Sequence, residues 1–137
     1  MKTCIILRGL PGSGKTTIAR YLESVFDFSQ IRKSSICCTD DYFMFGGEYC
    51  FDATKLARAH EWNFDNFCAR INYGTPLVIV PNTSTRRKEF IHYKEYAEKH
   101  GYRVFVLTVE NYHNSANVHG VPETTVEKMR NRFSIKL

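Results

Sequence analysis

Hydrophobic positions along the chain follow two periods. Four short strand-like runs stand at residues 4–7, 34–39, 77–80 and 104–109, nearly unbroken in apolar residues except for the second, which Ser34, Ser35 and Thr39 interrupt. Runs of that length read as strands buried on both faces. Between them apolar residues return at helical spacing. The first such stripe is Ile18, Tyr21, Leu22, Val25 and Phe26, on a helix opening near Lys15. A second, with Asp52 as its cap, is Leu56, His60, Phe64, Phe67 and Ile71, stopped by Gly74 and Pro76. A third is Phe90, Tyr93 and Ala97, ending at Gly101, with Thr83, Ser84 and Thr85 as cap candidates. The last opens at Pro122, a favoured first helical position, and turns Val126, Met129 and Phe133 inward. Residues 42–51 read as a Gly- and aromatic-rich loop, and 110–120 as polar and irregular.

Strands alternating with helices predict an α/β fold of three layers, a parallel sheet of about four strands with helices on both faces. Ligands of such sheets sit at the carboxyl ends of the strands. That rule gathers residues 9–16, Asp40 with Asp41, and Asn82 with Thr83 along one edge. The 137 residues suit a single domain, 1–137, and 43% hydrophobic content supplies a core.

A net charge of +5 fits an anionic partner, but no run of like charges reaches five residues, so no tail is built for non-specific DNA binding. The five cysteines are odd in number and include no CxxC, which suits reduced thiols in a cytoplasmic protein. The five histidines show no metal-ligand spacing with cysteine, and His60, on an apolar stripe, reads as a core residue. No apolar stretch approaches the ~20 residues of a membrane span, so no membrane association is expected.

Chemistry enters at Gly9-Leu10-Pro11-Gly12-Ser13-Gly14-Lys15-Thr16, followed by Thr17. This is the full G-x-x-x-x-G-K-[ST] phosphate loop, with a strand before it and a helix after it. Glycines let successive backbone N–H groups turn inward on phosphate oxygens, and the helix N-terminus adds positive potential. Lys15 is the side chain for the β- and γ-phosphates of a nucleoside triphosphate, and the Thr16 hydroxyl is the expected Mg²⁺ ligand. ATP and Mg²⁺ are the expected cofactors.

Asp40, at the end of the second strand, is the candidate general base for an acceptor hydroxyl, with Asp41 adjacent. The alternative is that both carboxylates cap a turn. The aromatics Tyr42, Phe43, Phe45, Tyr49 and Phe51 follow, either to stack on a base or to anchor the loop in the core. After the third strand comes Pro81-Asn82 in place of an acidic residue, and Asn82 reads as a helix cap or a partner of metal-shell water. Arg86, Arg87 and Lys88 form one basic cluster; Lys128, Arg130 and Arg132 form another beyond a lid segment at 110–122. Each is a solvated helix face or a set of transition-state or substrate contacts.

These segments, in order, resemble a family of small P-loop kinases that includes phage-type polynucleotide 5′-hydroxyl kinases and the kinase-like domain of the NEDD4-binding protein 2 group. The resemblance is carried by the glycine loop, by Asp40-Asp41-Tyr42, and by residues 47–52 leading to Leu56, Ala59-His60 and Trp62-Asn63. Asn82-Thr83 and residues 117–122, leading to Met129 and Arg132-Phe133, extend it over almost the whole chain. It implies a kinase acting with ATP and Mg²⁺, with Asp40 as base and strand order 2-3-1-4. The chain departs from the family at Pro81, where an acidic residue or Ser is usual, and at Ser115-Ala116, where the lid usually carries a basic pair. Arg130 or Arg132 is then expected to supply the missing cation.

The expected activity is phosphoryl transfer from ATP to a hydroxyl, foremost the 5′ end of a nucleic acid, with Asp41, Tyr42, Asn82, Thr83 and Arg86 on the acceptor side. A nucleoside or other small-metabolite kinase is the nearest alternative. A nucleotide-binding switch or nucleic-acid adaptor with weak turnover is the second.

Overall fold

The computed structural model describes residues 2–29, 34–110 and 121–133. Strand β1 (Thr3–Arg8) leads through the glycine loop into α1 (Lys15–Ser29). Next come β2 (Ser34–Ile36), a 3₁₀ turn (Thr39–Phe43), and a hairpin of β3 (Met44–Phe45) and β4 (Glu48–Tyr49). A second 3₁₀ turn (Ala53–Lys55) opens α2 (Leu56–Tyr73), followed by β5 (Leu77–Val80). A third (Arg87–Glu89) precedes α3 (Ile91–Lys99), then β6 (Arg103–Thr108) and α4 (Glu123–Arg132).

The main sheet has the order β2-β5-β1-β6 with every pairing parallel, the 2-3-1-4 arrangement expected. Thr3 of β1 stands opposite Leu77 on one side and Arg103 on the other, so the central strand is flanked along its length. One face packs Cys4, Ile6, Val78 and Val80 against Phe67 and Ile71 of α2 and Tyr93 and Ala97 of α3. The other packs Leu7, Leu77 and Ile79 against Ala19, Leu22 and Phe26 of α1. These layers make the three-layer α/β architecture expected. All five cysteines are free, with Cys4 and Cys37 buried as small hydrophobes. No helix among the described residues is long and apolar enough to cross a membrane.

Several expectations need correcting. The α1 stripe is wider than the face the helix buries: Tyr21 is 67% and Val25 55% exposed, while the small Ala19 takes the position nearest the sheet. On α2, Leu56 and His60 are exposed, because the inward row runs through Ala59, Asn63, Phe67 and Ile71. Strand β2 has three residues instead of six, since the chain winds into a 3₁₀ turn at Thr39. Thr83, Ser84 and Thr85 do not cap α3, which starts at Ile91. Asp52 caps the short turn before α2, its carboxylate accepting from the Thr54 N–H at 3.0 Å. Within the lid segment, residues 111–120 lie outside the described residues.

Candidate functional site

The strand ends converge on a cavity of about 1180 Å³, ample for a nucleotide and a second substrate. Residues Pro11 to Ile18 form one wall, and Asp40, Asn82, Thr83 and Arg132 contribute to others. The loop turns through Gly12 (φ 80°) and Gly14 (φ 104°), a left-handed conformation that glycine alone adopts without strain. Gly9 is needed for space instead: a Cβ there would meet Ser13 Oγ at 2.5 Å and the Val109 carbonyl oxygen at 2.6 Å. Its N–H donates to the Thr83 carbonyl (3.1 Å), tying the loop to the segment after β5.

Lys15 is buried, and its Nζ donates to the Gly9 and Leu10 carbonyls at 2.8 and 3.0 Å. Burial pushes its ammonium down from 10.5 to about 8, with Cys38 and Asp40 opposing that shift. A buried cation on weak neutral acceptors is a site that gains by receiving an anion. Thr16 and Thr17 line the same cavity. The donor set therefore fits a nucleoside triphosphate, and a hydroxyl and a carboxylate facing one cavity fit Mg²⁺.

Asp40 sits in the turn after β2 and faces the cavity. Thr39, just before it, is held twice: its N–H donates to Asn82 Oδ1 (3.1 Å), and its hydroxyl lies 3.4 Å from His60 Nδ1. Asn82 is thus a brace between the ends of β5 and β2. Asn63 extends the bracing inward, its amide donating to the Cys37 carbonyl and to Tyr93 Oη, both at 3.1 Å. Burial first, then Asp40, pushes the Cys38 thiol up to about 12, which keeps a nearby competing thiolate from forming.

Asp41 is exposed, and Tyr42 packs on Trp62 with ring centroids 5.7 Å apart; neither lines the cavity. Arg86 is exposed and likewise outside it. The two α4 arginines separate. Arg132 lines the cavity and its Nε donates to Thr85 Oγ1 at 3.0 Å, while Arg130 pairs with Glu127 and borders a smaller 310 Å³ cavity behind the loop.

Sequence reasoning missed Arg8 and the places of Tyr49, His60 and His92 in the cavity wall. Tyr49 donates to Asp40 Oδ1 at 3.3 Å, brought there by the hairpin. Its turn, Gly46-Gly47, has positive φ at both positions, the pattern two-residue hairpins favour. A Gly-Gly pair between aromatic residues was the available signal. His60 and His92 line the cavity, with burial and the neighbouring His60 lowering the pKa of His92. Arg8 is fully buried, its guanidinium 4.7 Å from the Phe90 ring and 4.7 Å from the Phe133 ring. It donates to the Ser84 carbonyl (2.9 Å) and the Thr85 carbonyl (3.1 Å). A charge closing an apolar strand just before a phosphate loop was a visible signal.

The comparisons agree with this architecture. A family model described as an AAA domain matches residues 4–134. Human NEDD4-binding protein 2 is 31% identical over 136 residues, covering 94% of this chain but only 7% of that protein. Among solved structures, Chaetomium thermophilum Kti12 in complex with ADP-AlF3 aligns with a TM-score of 0.66 at 17% identity, over 96% of this chain and 80% of that one. The Pnkp1/Rnl/Hen1 RNA repair complex aligns at 0.63 and 19% identity, over 96% of this chain and 43% of that one. A Cys-to-Ala variant of the Mycobacterium tuberculosis APS kinase CysC aligns at 0.59 and 14% identity, over 96% of both chains. With its glycine loop in place and residues 4–134 matched, this chain belongs to the AAA-domain family, and its solved neighbours share its fold.

Proposed function

We propose that residues 1–137 form a single kinase domain that moves the γ-phosphoryl group of ATP to a hydroxyl, foremost the 5′-hydroxyl of a polynucleotide. The observation that carries this reading is one cavity lined by both the phosphate loop and Asp40. Lys15 would leave the Gly9 and Leu10 carbonyls for the β- and γ-phosphates, whose negative charge would offset the cost of burying its ammonium. Thr16 is the residue that would hold Mg²⁺, which supplies neutralisation of phosphate charge. Asp40 takes the acceptor's proton as the acceptor oxygen bonds to phosphorus; the bond from phosphorus to the β–γ bridging oxygen breaks and ADP leaves. Arg132 is the cation placed to meet charge on the transferred group. The free cysteines fit a reducing compartment such as the cytoplasm.

The acceptor choice leans on the family and on the RNA repair complex among its structural neighbours. One observation favours slow turnover: Pro81 stands where an acidic residue is usual, and the Asn82 amide is engaged with Thr39. Transfer of labelled γ-phosphate to a 5′-hydroxyl oligonucleotide tests the reading, with Lys15→Ala and Asp40→Asn beside the wild type. Both substitutions should abolish transfer, and Asp40→Asn should leave ATP affinity intact. ATP binding without transfer to any hydroxyl acceptor would replace the kinase by a nucleotide-binding switch.

A further inference from the structure

The hairpin does more than bring Tyr49 to Asp40. Its aromatics divide into three fates. Phe43 is 1% exposed and anchors the loop, with Tyr49 and Phe51 packed edge-on against it. Phe45, at the tip, is 62% exposed and lies outside the cavity. Phe51 is 53% exposed and lines the cavity. Its ring is stacked nearly parallel to that of Tyr49, 16° between planes and 6.4 Å between centroids. Tyr49 in turn reaches Asp40 through its hydroxyl. A flat apolar face therefore lies one tyrosine side chain from the carboxylate, with Leu56 and His60 beside it in the cavity wall.

We infer that Phe51 is the stacking platform for the nucleobase of the acceptor's terminal nucleotide, with Leu56 and His60 bordering the base. The inference rests on the phosphoryl-transfer reading for the hydroxyl beside Asp40. Tyr49 spans from the Phe51 ring to the Asp40 carboxylate, so a base stacked on Phe51 and the 5′-hydroxyl of the same nucleotide would face one cavity. The exposed charges on the neighbouring segments, Glu48, Lys55, Arg58 and Glu61, are of both signs, so among the described residues they form no basic track there. Recognition there comes from a π-face, which every base offers, and not from charge. Such a platform tolerates any base but discriminates against an acceptor without one.

The test compares wild type, Phe51→Ala and Phe51→Trp on two 5′-hydroxyl oligonucleotides, one with a natural terminal base and one with an abasic terminal sugar. Phe51→Ala should raise KM for the natural acceptor by about 5- to 100-fold, the range for loss of one base–aromatic stack. The kcat should stay within about 2-fold, since Phe51 touches no reacting atom, and Phe51→Trp should restore KM. The wild type should bind the abasic acceptor poorly, with no response to either variant. Equal KM for natural and abasic acceptors, or an unchanged KM in Phe51→Ala, overturns the platform. Titration of an oligonucleotide ending in 2-aminopurine, with ATP absent, separates this from the kinase reading. Stacking quenches its fluorescence whether or not transfer occurs. Quenching lost in Phe51→Ala with no transfer by the wild type upholds the platform and defeats the kinase; no quenching by the wild type defeats the platform alone.

Discussion

Lys15 makes the phosphate loop a source of instability in the empty protein. An unfolded lysine holds its proton up to about 10.5, and the buried Lys15 only to about 8. Between those values the unfolded chain binds more protons, so stability falls as pH falls from 10.5 to 8 and the loss is complete below 8. At 1.36 kcal/mol per unit the burden is about 3 kcal/mol at pH 7 and under about 1 kcal/mol at pH 10. Lys15→Met keeps the stem and removes the titration. It also removes the two hydrogen bonds to Gly9 and Leu10, at about 1 kcal/mol each. The variant should then be about 1 kcal/mol more stable than wild type at pH 7 and about 1 kcal/mol less stable at pH 10, with the order reversing near pH ~9. Urea midpoints at pH 7, 8, 9 and 10, at constant m, measure the difference; the raised thiols Cys4 and Cys37 titrate in both chains and cancel, and a shared Cys38→Ser background removes the thiol that is coupled to Lys15. A difference independent of pH across that range would refute the reasoning. The same linkage makes nucleotide binding take up a proton above pH 8, so ATP affinity should weaken as pH rises through that value.

Gly9→Ala forces a Cβ against the Val109 carbonyl, which as backbone cannot swing away, and should lower stability by roughly 1–3 kcal/mol, the usual cost of overpacking, read as a loss of Tm. Arg132→Gln should reduce kcat by about 10²–10³, the scale for losing one charge-stabilising donor, while Arg130→Gln should change it little because Arg130 borders the other cavity. Steady-state transfer assays on the two variants separate them.

The parts of this fold legible in the sequence were those set by local pattern. An apolar run, a glycine loop and a helical stripe in succession placed β1, the phosphate cradle and α1 within a residue or two. The failures came where tertiary packing chooses among equally apolar residues. Nothing local tells Ala19 from Tyr21 as the residue that faces the sheet, because the interhelix-to-sheet distance makes that choice. His60 sat on an apolar stripe by spacing, yet α2 buries the row through Asn63, whose amide bonds to the Cys37 carbonyl 26 positions away. The brace from Asn82 to Thr39 spans 43 positions, and the Arg8 contacts to the segment after β5 span 76 and 77. Pairings at such separations are products of the sheet order, and they fix which of Asp40 and Asp41 meets the cavity.

The departure at Ser115-Ala116 raises the question of where a cation for the proposed transfer would come from, and the packing around Arg8 bears on it. Arg132 is exposed and rotamer-rich, so its presence in the cavity needs a constraint. That constraint is adjacent in sequence: Phe133 packs its ring on the Arg8 guanidinium, which also meets the Phe90 ring. Arg8 is also the last residue of the strand that feeds the phosphate loop. Thr85 closes the circuit, accepting from Arg132 Nε while its own hydroxyl donates to the Glu89 carboxylate at 3.0 Å. The end of β1, the segment after β5 and the end of α4 are thereby tied at one point beneath the loop. Ser84, held at φ 49° where few residues other than glycine are found, presents its carbonyl to Arg8 at that point, and strain of this kind persists only where neighbouring contacts over-determine it. Under the proposed transfer, this packing would index the Arg132 cation to the phosphate cradle and supply the positional precision that a basic pair on a lid would otherwise reach by closure.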